Sequence, residues 1–258
     1  MTGEASGAHM RVGLFVTCLV DLLRPQIGFA ALKLLKGAGC EVVVPECQTC
    51  CGQPAYNSGD RHDAKDLARA TIGAFEGCDY VVAPSGSCAG MLRVHYPELL
   101  ADEPEWAERA KTFAVRCHEL TEFLVNVCKL NATPANGARG VAAYHDSCSS
   151  LRELGIKSEP RSLLSGIEGL TVRDIGDGNA CCGFGGTFCV KFPEISARIG
   201  RDKIAAAKAS GADTIIAADL GCLLHLAGIA SRENAGIRCR HVAEVLAGDT
   251  GAAIGEKA

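Results

Sequence analysis

The 258-residue chain has no window of roughly 18 uncharged apolar residues, the length needed to cross a bilayer, so no membrane span is expected. It also lacks any long Lys/Arg run, and its formal net charge is −4. That excludes the basic footprint of a nucleic-acid binder and gives no electrostatic anchor to an anionic membrane surface. Met1 to Met10 is small and polar with no apolar h-region, so no signal peptide is expected and residues 1–9 read as a tail. No G-x-G-x-x-G fingerprint follows the first strand-like run, so no nicotinamide or flavin site is expected in this chain.

The chain does have fifteen cysteines. Apolar residues make up 48% and charged residues 22%, an ordinary soluble balance, and the length is enough to bury a core without covalent staples. An odd cysteine count, with no secretory signal, points away from a disulfide scaffold and toward metal or redox use in a reducing compartment, the cytoplasm.

The cysteines are organised by an internal repeat. Cys148 follows Cys18 by 130 residues, Cys181-Cys182 follows Cys50-Cys51 by 131, and Cys222 follows Cys88 by 134. Each unit reads as strand, cysteine, helix, strand, Cys-Cys-Gly, loop, helix, strand, cysteine, helix. In the first unit, Val12–Thr17, Cys40–Val44 and Tyr80–Ala83 read as strands, and Pro25–Lys36 and Asp60–Phe75 as helices. In the second, Val141–His145, Thr171–Ile175 and Thr214–Ala217 are the matching strands, and Pro193–Ala209 is a long helix with proline at its start and Gly211 beyond its end. Pro104–Val127 reads as helical. The expected fold is α/β: two pseudo-symmetric βα repeats, each with a small parallel sheet. The expected division is a first domain over 10–130, a linker over 131–139, a second domain over 140–250 and a tail over 251–258.

In this arrangement Cys18, Cys50, Cys51 and Cys88, and likewise Cys148, Cys181, Cys182 and Cys222, all fall just after strands. Ligands of parallel sheets bind at those carboxyl ends, and helices beginning there favour anionic groups such as a thiolate-ligated cluster. Gly52 and Gly183 let the backbone approach cluster sulfurs and take positive φ. Structural zinc usually draws on two short ligand pairs, whereas here single residues and adjacent pairs are spread over about seventy residues per unit. Iron–sulfur chemistry is therefore the first reading and zinc the main inorganic alternative. Buried structural cysteine explains single positions but not a repeated Cys-Cys-Gly. Cys40, Cys78, Cys117, Cys128 and Cys239 read as core residues, and Cys47 and Cys189 as loop cysteines.

The pattern Cys18…Cys50-Cys51-Gly52…Ser85-Gly-Ser-Cys88 and Cys148…Cys181-Cys182-Gly183…Asp219-Leu-Gly-Cys222 resembles the paired cysteine-rich (CCG) domains. That family includes the cysteine-rich subunit of the heterodisulfide reductases and the glycolate oxidase iron–sulfur subunit. The strings Leu14-Phe-Val-Thr-Cys-Leu-Val-Asp21, Cys50-Cys-Gly-Gln-Pro-Ala-Tyr-Asn-Ser-Gly59 and Cys181-Cys-Gly-Phe-Gly-Gly-Thr-Phe188 resemble its lactate-utilisation branch. The resemblance implies oxidation of L-lactate to pyruvate by a multi-protein complex. Its partners would be a ferredoxin-type iron–sulfur subunit and a smaller companion, and this chain would carry [4Fe-4S] iron–sulfur clusters as the electron-handling member. The alternatives are glycolate or another 2-hydroxy acid as substrate, or a thiol–disulfide enzyme. The full family motif ends in Cys-x-x-Cys, and here Ser85 and Asp219 replace the first cysteine of that pair, leaving four motif cysteines per unit. Ser85, Asp219 and Cys47 are the alternative ligands.

No catalytic residue is singled out. His118 and His241 sit before the two closing apolar helices, a repeated position that points to a shared structural role, capping or a hydrogen bond near the site. His145 and His225 flank Cys148 and Cys222, where either could donate to a cluster sulfur or to a hydroxy acid. Arg24 and Arg152 follow Cys18 and Cys148, where a guanidinium could hold a carboxylate. Asp177-Gly-Asn reads as a turn.

Overall fold

The computed structural model describes residues 10–132, 137–176, 178–249 and 251–256. The expected tail over 1–9, the middle of the linker at 133–136, Asp177 of the expected turn and the last two residues lie outside the described residues.

Eight strands form two four-stranded sheets. The first contains β1 (Arg11–Leu14), β2 (Glu41–Val43), β3 (Tyr80–Ala83) and β4 (Cys117–Glu119) in the order β2-β1-β3-β4. The second contains β5 (Gly140–His145), β6 (Leu170–Asp174), β7 (Thr214–Ala217) and β8 (Arg238–His241) in the order β6-β5-β7-β8. Every pairing is parallel. The two sheets thus have one topology used twice, as the repeat in the sequence implies. The inner strands β3 and β7 are apolar on both faces and buried, as strands covered on both sides must be.

The helix starts follow from proline. Pro25 opens Pro25–Gly37 and Pro193 opens Pro193–Ala209, each at the first turn, where a missing N–H costs nothing. Gly39 and Gly211, at φ 84° and 81°, turn the chain away after each helix.

Two expectations change. Pro104–Val127 is not one helical stretch: a helix over Pro104–Ala114 gives way to β4, and a new helical turn starts at Leu120. The fourth strand of each sheet leaves no mark in the sequence because it is only three or four residues long and reads Cys-His-Glu or Arg-Cys-Arg-His, without an apolar run. The second change concerns the histidines. Ala83 pairs with Glu119 and Ala217 pairs with His241, so the counterpart of His241 is Glu119, not His118. Both residues are fully buried and both cap a helix. His241 Nδ1 accepts from the Ala243 N–H, and Glu119 Oε2 accepts from the Thr121 and Glu122 N–H groups. His118 instead packs at a tilt against the rings of Tyr80 and Phe123 and lies 3.6 Å from Glu122.

The lobes pack reciprocally. The closing helix Val242–Leu246 of the second lobe lies on Pro25–Gly37 of the first, and the closing turns Leu120–Glu122 and Phe123–Val127 of the first lie on Ser158–Leu164 of the second. One apolar cluster runs through both lobes, from Val12 and Leu14 to Ile215 and Leu246. Arg24 holds the join: its Nε donates to Glu244 at 2.8 Å and its Nη2 to the Ala252 carbonyl at 2.6 Å. Ala253 and Ile254 are buried beside this join.

Candidate metal centre

In each sheet the chain leaves the central strand, β1 or β5, first to one side and then to the other. That reversal opens a crevice at the carboxyl ends of the strands. The cysteines enter it from three directions. Cys18 begins the helix Cys18–Leu23 after β1, Cys50 and Cys51 lie on the loop after β2, and Cys88 sits in the helical turn Gly86–Gly90 after β3. Cys148, Cys181, Cys182 and Cys222 repeat the arrangement after β5, β6 and β7.

The side chains meet. Cys18 Sγ lies 3.7 Å from Cys50 Sγ, and Cys51 Sγ lies 3.5 Å from Cys88 Sγ. In the second lobe the Sγ atoms of Cys182 and Cys222 lie within 4.8 Å of one another, and Cys181 lies between Cys148 and Cys182, its thiol lowered by both. Each tetrad has a half-exposed edge, Cys18 with Cys50 or Cys148 with Cys181, and a buried member, Cys51 or Cys182. Hydrogen bonds from Cys18 and Cys51 hold the Cys50 thiol down to about 3, and Cys148 and Cys182 lower Cys181 in the same way. The donors Cys18 and Cys148 are pushed up, chiefly by those same bonds and then by burial. Each tetrad therefore carries a thiolate at the second cysteine position, the form that binds metal.

The loops are held by residues that the sequence did not single out. Gln48 acts as a piece of strand: its Oε1 accepts from the Val16 N–H at 2.8 Å and its Nε2 donates to the Leu14 carbonyl at 3.3 Å. Buried Tyr96 donates its hydroxyl to the Cys51 carbonyl at 2.8 Å. In the second lobe, Lys203 Nζ donates to the Ala180 carbonyl and Ser196 Oγ to the Gly183 carbonyl, at 2.8 and 2.7 Å. All four act across more than ten residues of chain, so no local pattern marks them. Thr17, just before Cys18, holds φ at 73°, a strained setting for a β-branched residue.

The two motif glycines differ. Both have positive φ, 83° at Gly52 and 92° at Gly183. A Cβ on Gly52 would make ordinary contacts, the nearest at 3.4 Å, whereas one on Gly183 would stand 2.4 Å from the Ser196 carbonyl oxygen. The Gly183 N–H points at Cys181 Sγ and the Phe184 N–H at Cys182 Sγ, at 3.3 and 3.4 Å.

Ser85 and Asp219 are committed to each other. Ser85 Oγ donates to Asp219 Oδ1 at 2.8 Å and accepts from the Cys88 N–H at 3.3 Å. Cys47 is exposed, and Cys189 Sγ donates to the Gly186 carbonyl. Cys40, Cys78, Cys117 and Cys239 are buried in the core. His225 faces Ser196, and Arg152 donates to the Asn179 carbonyl. His145 is buried beside Cys182 and Cys222, among the described residues neither ring nitrogen is hydrogen-bonded, and burial pushes its pKa down to about 4. These donor sets fit a thiolate-bound metal centre: four convergent sulfurs, one already a thiolate, and backbone N–H groups aimed at sulfur.

Comparison with known proteins agrees with this geometry. The model of the CCG cysteine-rich domain matches residues 12–93 and 142–227. Lactate utilization protein A of Bacillus cytotoxicus is 46% identical over 237 residues, covering 92% of this chain and 98% of that protein. Its namesake in Bacillus subtilis strain 168 is 45% identical, covering 92% of this chain and 99% of that protein. Among solved structures, a hypothetical protein from Helicobacter pylori superposes with a TM-score of 0.67 at 12% identity, a likeness of fold alone. That match covers 94% of this chain, which spans about half (49%) of the Helicobacter chain. With one cysteine-rich domain in each lobe and whole-length likeness to lactate utilization protein A, the chain belongs to the CCG cysteine-rich domain family.

Proposed function

We propose that this chain is the iron–sulfur, electron-handling subunit of a cytoplasmic multi-protein system that oxidises L-lactate to pyruvate. The observation that carries the reading is the convergence of four cysteines at the crevice of each sheet, in a chain similar over its whole length to proteins named for lactate utilization. Cys18, Cys50, Cys51 and Cys88 would hold one [4Fe-4S] centre, and Cys148, Cys181, Cys182 and Cys222 the other. When bound, such a centre accepts and passes on single electrons. Oxidation of lactate to pyruvate releases two electrons and two protons, and no flavin or nicotinamide fingerprint is present to take a hydride. The first acceptor is therefore assigned to a partner, with a ferredoxin-type iron–sulfur subunit and a smaller companion completing the system. Among the described residues no helix is long and apolar enough to cross a membrane.

The protein's own residues prepare the site. The hydrogen bonds at Cys50 and Cys181 supply a thiolate before metal arrives. The Gly183 and Phe184 N–H groups stabilise negative charge on sulfur, and the buried Cys51 and Cys182 keep water from the inner edge.

Anaerobic purification followed by iron and sulfide analysis and electron paramagnetic resonance tests this reading. Iron and sulfide are expected, with Cys51→Ser and Cys182→Ser each removing one centre. Oxidation of lactate by this chain alone with an artificial acceptor would overturn the electron-transfer assignment. A second reading has its own support: sulfur–sulfur separations of 3.7 and 3.5 Å match the edge of a tetrahedral site with metal–sulfur bonds of about 2.3 Å. Zinc without iron or sulfide in the anaerobic protein would favour that mononuclear centre and sink the first reading.

A further inference from the structure

The repeat relates the two tetrads but not the residue beside them. Three positions before Cys18 stands Phe15, and three before Cys148 stands His145. Both are buried at the end of the central strand of their sheet. Phe15 packs in one apolar cluster with Cys51 and Cys88, so the first lobe fills the position with hydrocarbon.

His145 is only 1% exposed, and among the described residues neither of its ring nitrogens has a hydrogen-bond partner. A buried imidazole left unpartnered costs free energy that a phenylalanine would not. Packing alone therefore does not account for it. His241, equally buried, makes the contrast: its Nε2 meets the Pro84 and Ala218 carbonyls and its Nδ1 accepts from Ala243. The unsatisfied ring lies beside sulfur. One nitrogen of His145 and the Sγ atoms of Cys182 and Cys222 all lie within 4.8 Å of one another. Asp219 Oδ2, also buried and unpartnered, is close enough for its charge to act on the ring.

We propose that His145 supplies a nitrogen ligand to the metal centre of the second lobe, beside Cys148, Cys181, Cys182 and Cys222, while thiolates alone hold the centre of the first lobe. The inference rests on the reading that the tetrads hold iron–sulfur centres. Imidazole is neutral and suits both iron and zinc. The two centres are therefore unequal in their donor sets.

The experiment is pulsed electron paramagnetic resonance on reduced, anaerobically purified protein, grown with natural or 15N-labelled histidine. Cys51→Ser isolates the second centre and Cys182→Ser the first. A strongly coupled nitrogen that responds to the histidine label is expected in wild type and in Cys51→Ser, and none in Cys182→Ser. His145→Phe, which copies the first lobe, is expected to abolish that coupling. The labelled wild type carries the test if that variant does not fold. Iron and sulfide present with no histidine coupling, or only the weak coupling of a hydrogen-bonded ring, overturns this inference and leaves the iron–sulfur reading standing. Absence of iron and sulfide overturns both.

Discussion

Ser85 donates a 2.8 Å hydrogen bond to Asp219, and the two residues occupy the same position in the two repeats. Each stands at the N-cap position of the helix after the third strand of its sheet, where Ser85 caps its own helix and Asp219 turns to the other lobe, so the bond runs across the pseudo-twofold axis. Asp219 Oδ1 also accepts from the Ser87 N–H and Oγ, which gives one buried carboxylate oxygen three donors from the other lobe.

Removing that carboxylate should therefore loosen the join between lobes. Asp219→Ala is expected to cost about 2–3 kcal/mol, because it strands buried donors, and Ser85→Ala about 1 kcal/mol. Denaturant unfolding of both single variants and the double variant should give a coupling energy of about 1–2 kcal/mol. Strict additivity would show that the bond contributes nothing.

The two motif glycines should not be equally replaceable. Gly52→Ala meets only the strain of a left-handed backbone, about 1 kcal/mol. Gly183→Ala adds a contact at 2.4 Å with the Ser196 carbonyl and must displace the helix Pro193–Ala209 or the loop. We expect Gly183→Ala to lose the metal of the second lobe, halving metal content, while Gly52→Ala keeps both centres. Metal analysis of the two proteins decides it.

In metal-free protein, Cys50 and Cys181 should be the reactive thiols. Both are partly exposed and held as thiolates by neighbouring thiols, Cys50 at about 3. Iodoacetamide at pH 6 should label Cys50 ahead of Cys18 and Cys181 ahead of Cys148, with Cys51 and Cys182 protected by burial. Peptide mass spectrometry reads the order, and prior labelling of Cys18 would contradict it.

Glu119 and His241, at equivalent positions, should give opposite pH slopes. Burial raises Glu119 from 4.5 to about 7, so the folded state holds its proton more tightly than the unfolded state. Its contribution is present below pH 4.5 and is lost as pH rises through about 7. Burial lowers His241 from 6.5 to about 4, so its contribution is present above pH 6.5 and is lost as pH falls through about 4. Each limb is worth on the order of 3 kcal/mol, and the two oppose each other between about pH 4.5 and 6.5. Glu119→Gln should remove the falling limb, gaining stability relative to wild type as pH rises from 5 to 8. His241→Gln should lose stability at every pH but flatten the acid limb. Parallel stability–pH curves for wild type and Glu119→Gln would refute the assignment.

Much of the site was legible in the sequence because its signals are local. An apolar run followed by cysteine marks a strand end, and a repeat near 130 residues marks two copies of one topology. From these alone follow the α/β class, the parallel sheets and the eight cysteines that the fold gathers into two tetrads. What depended on exact register was not legible. His118 and His241 look alike beside their helices, but pairing to Ala83 and Ala217 shows that Glu119 is the true counterpart, one residue away, and a one-residue shift reverses the face of a strand.

From the sequence alone one could tell which cysteines recur and at which ends of which strands they stand, because periodicity and turn residues act over a few positions. Only the tertiary structure decided what those residues do to one another. Ser85 and Asp219, 134 residues apart, became a bond between lobes rather than two spare ligands, Arg24 became a tie to Glu244, and His145 was left beside sulfur where Phe15 stands in hydrocarbon. Such contacts depend on how two folded sheets meet, and no local pattern encodes that meeting.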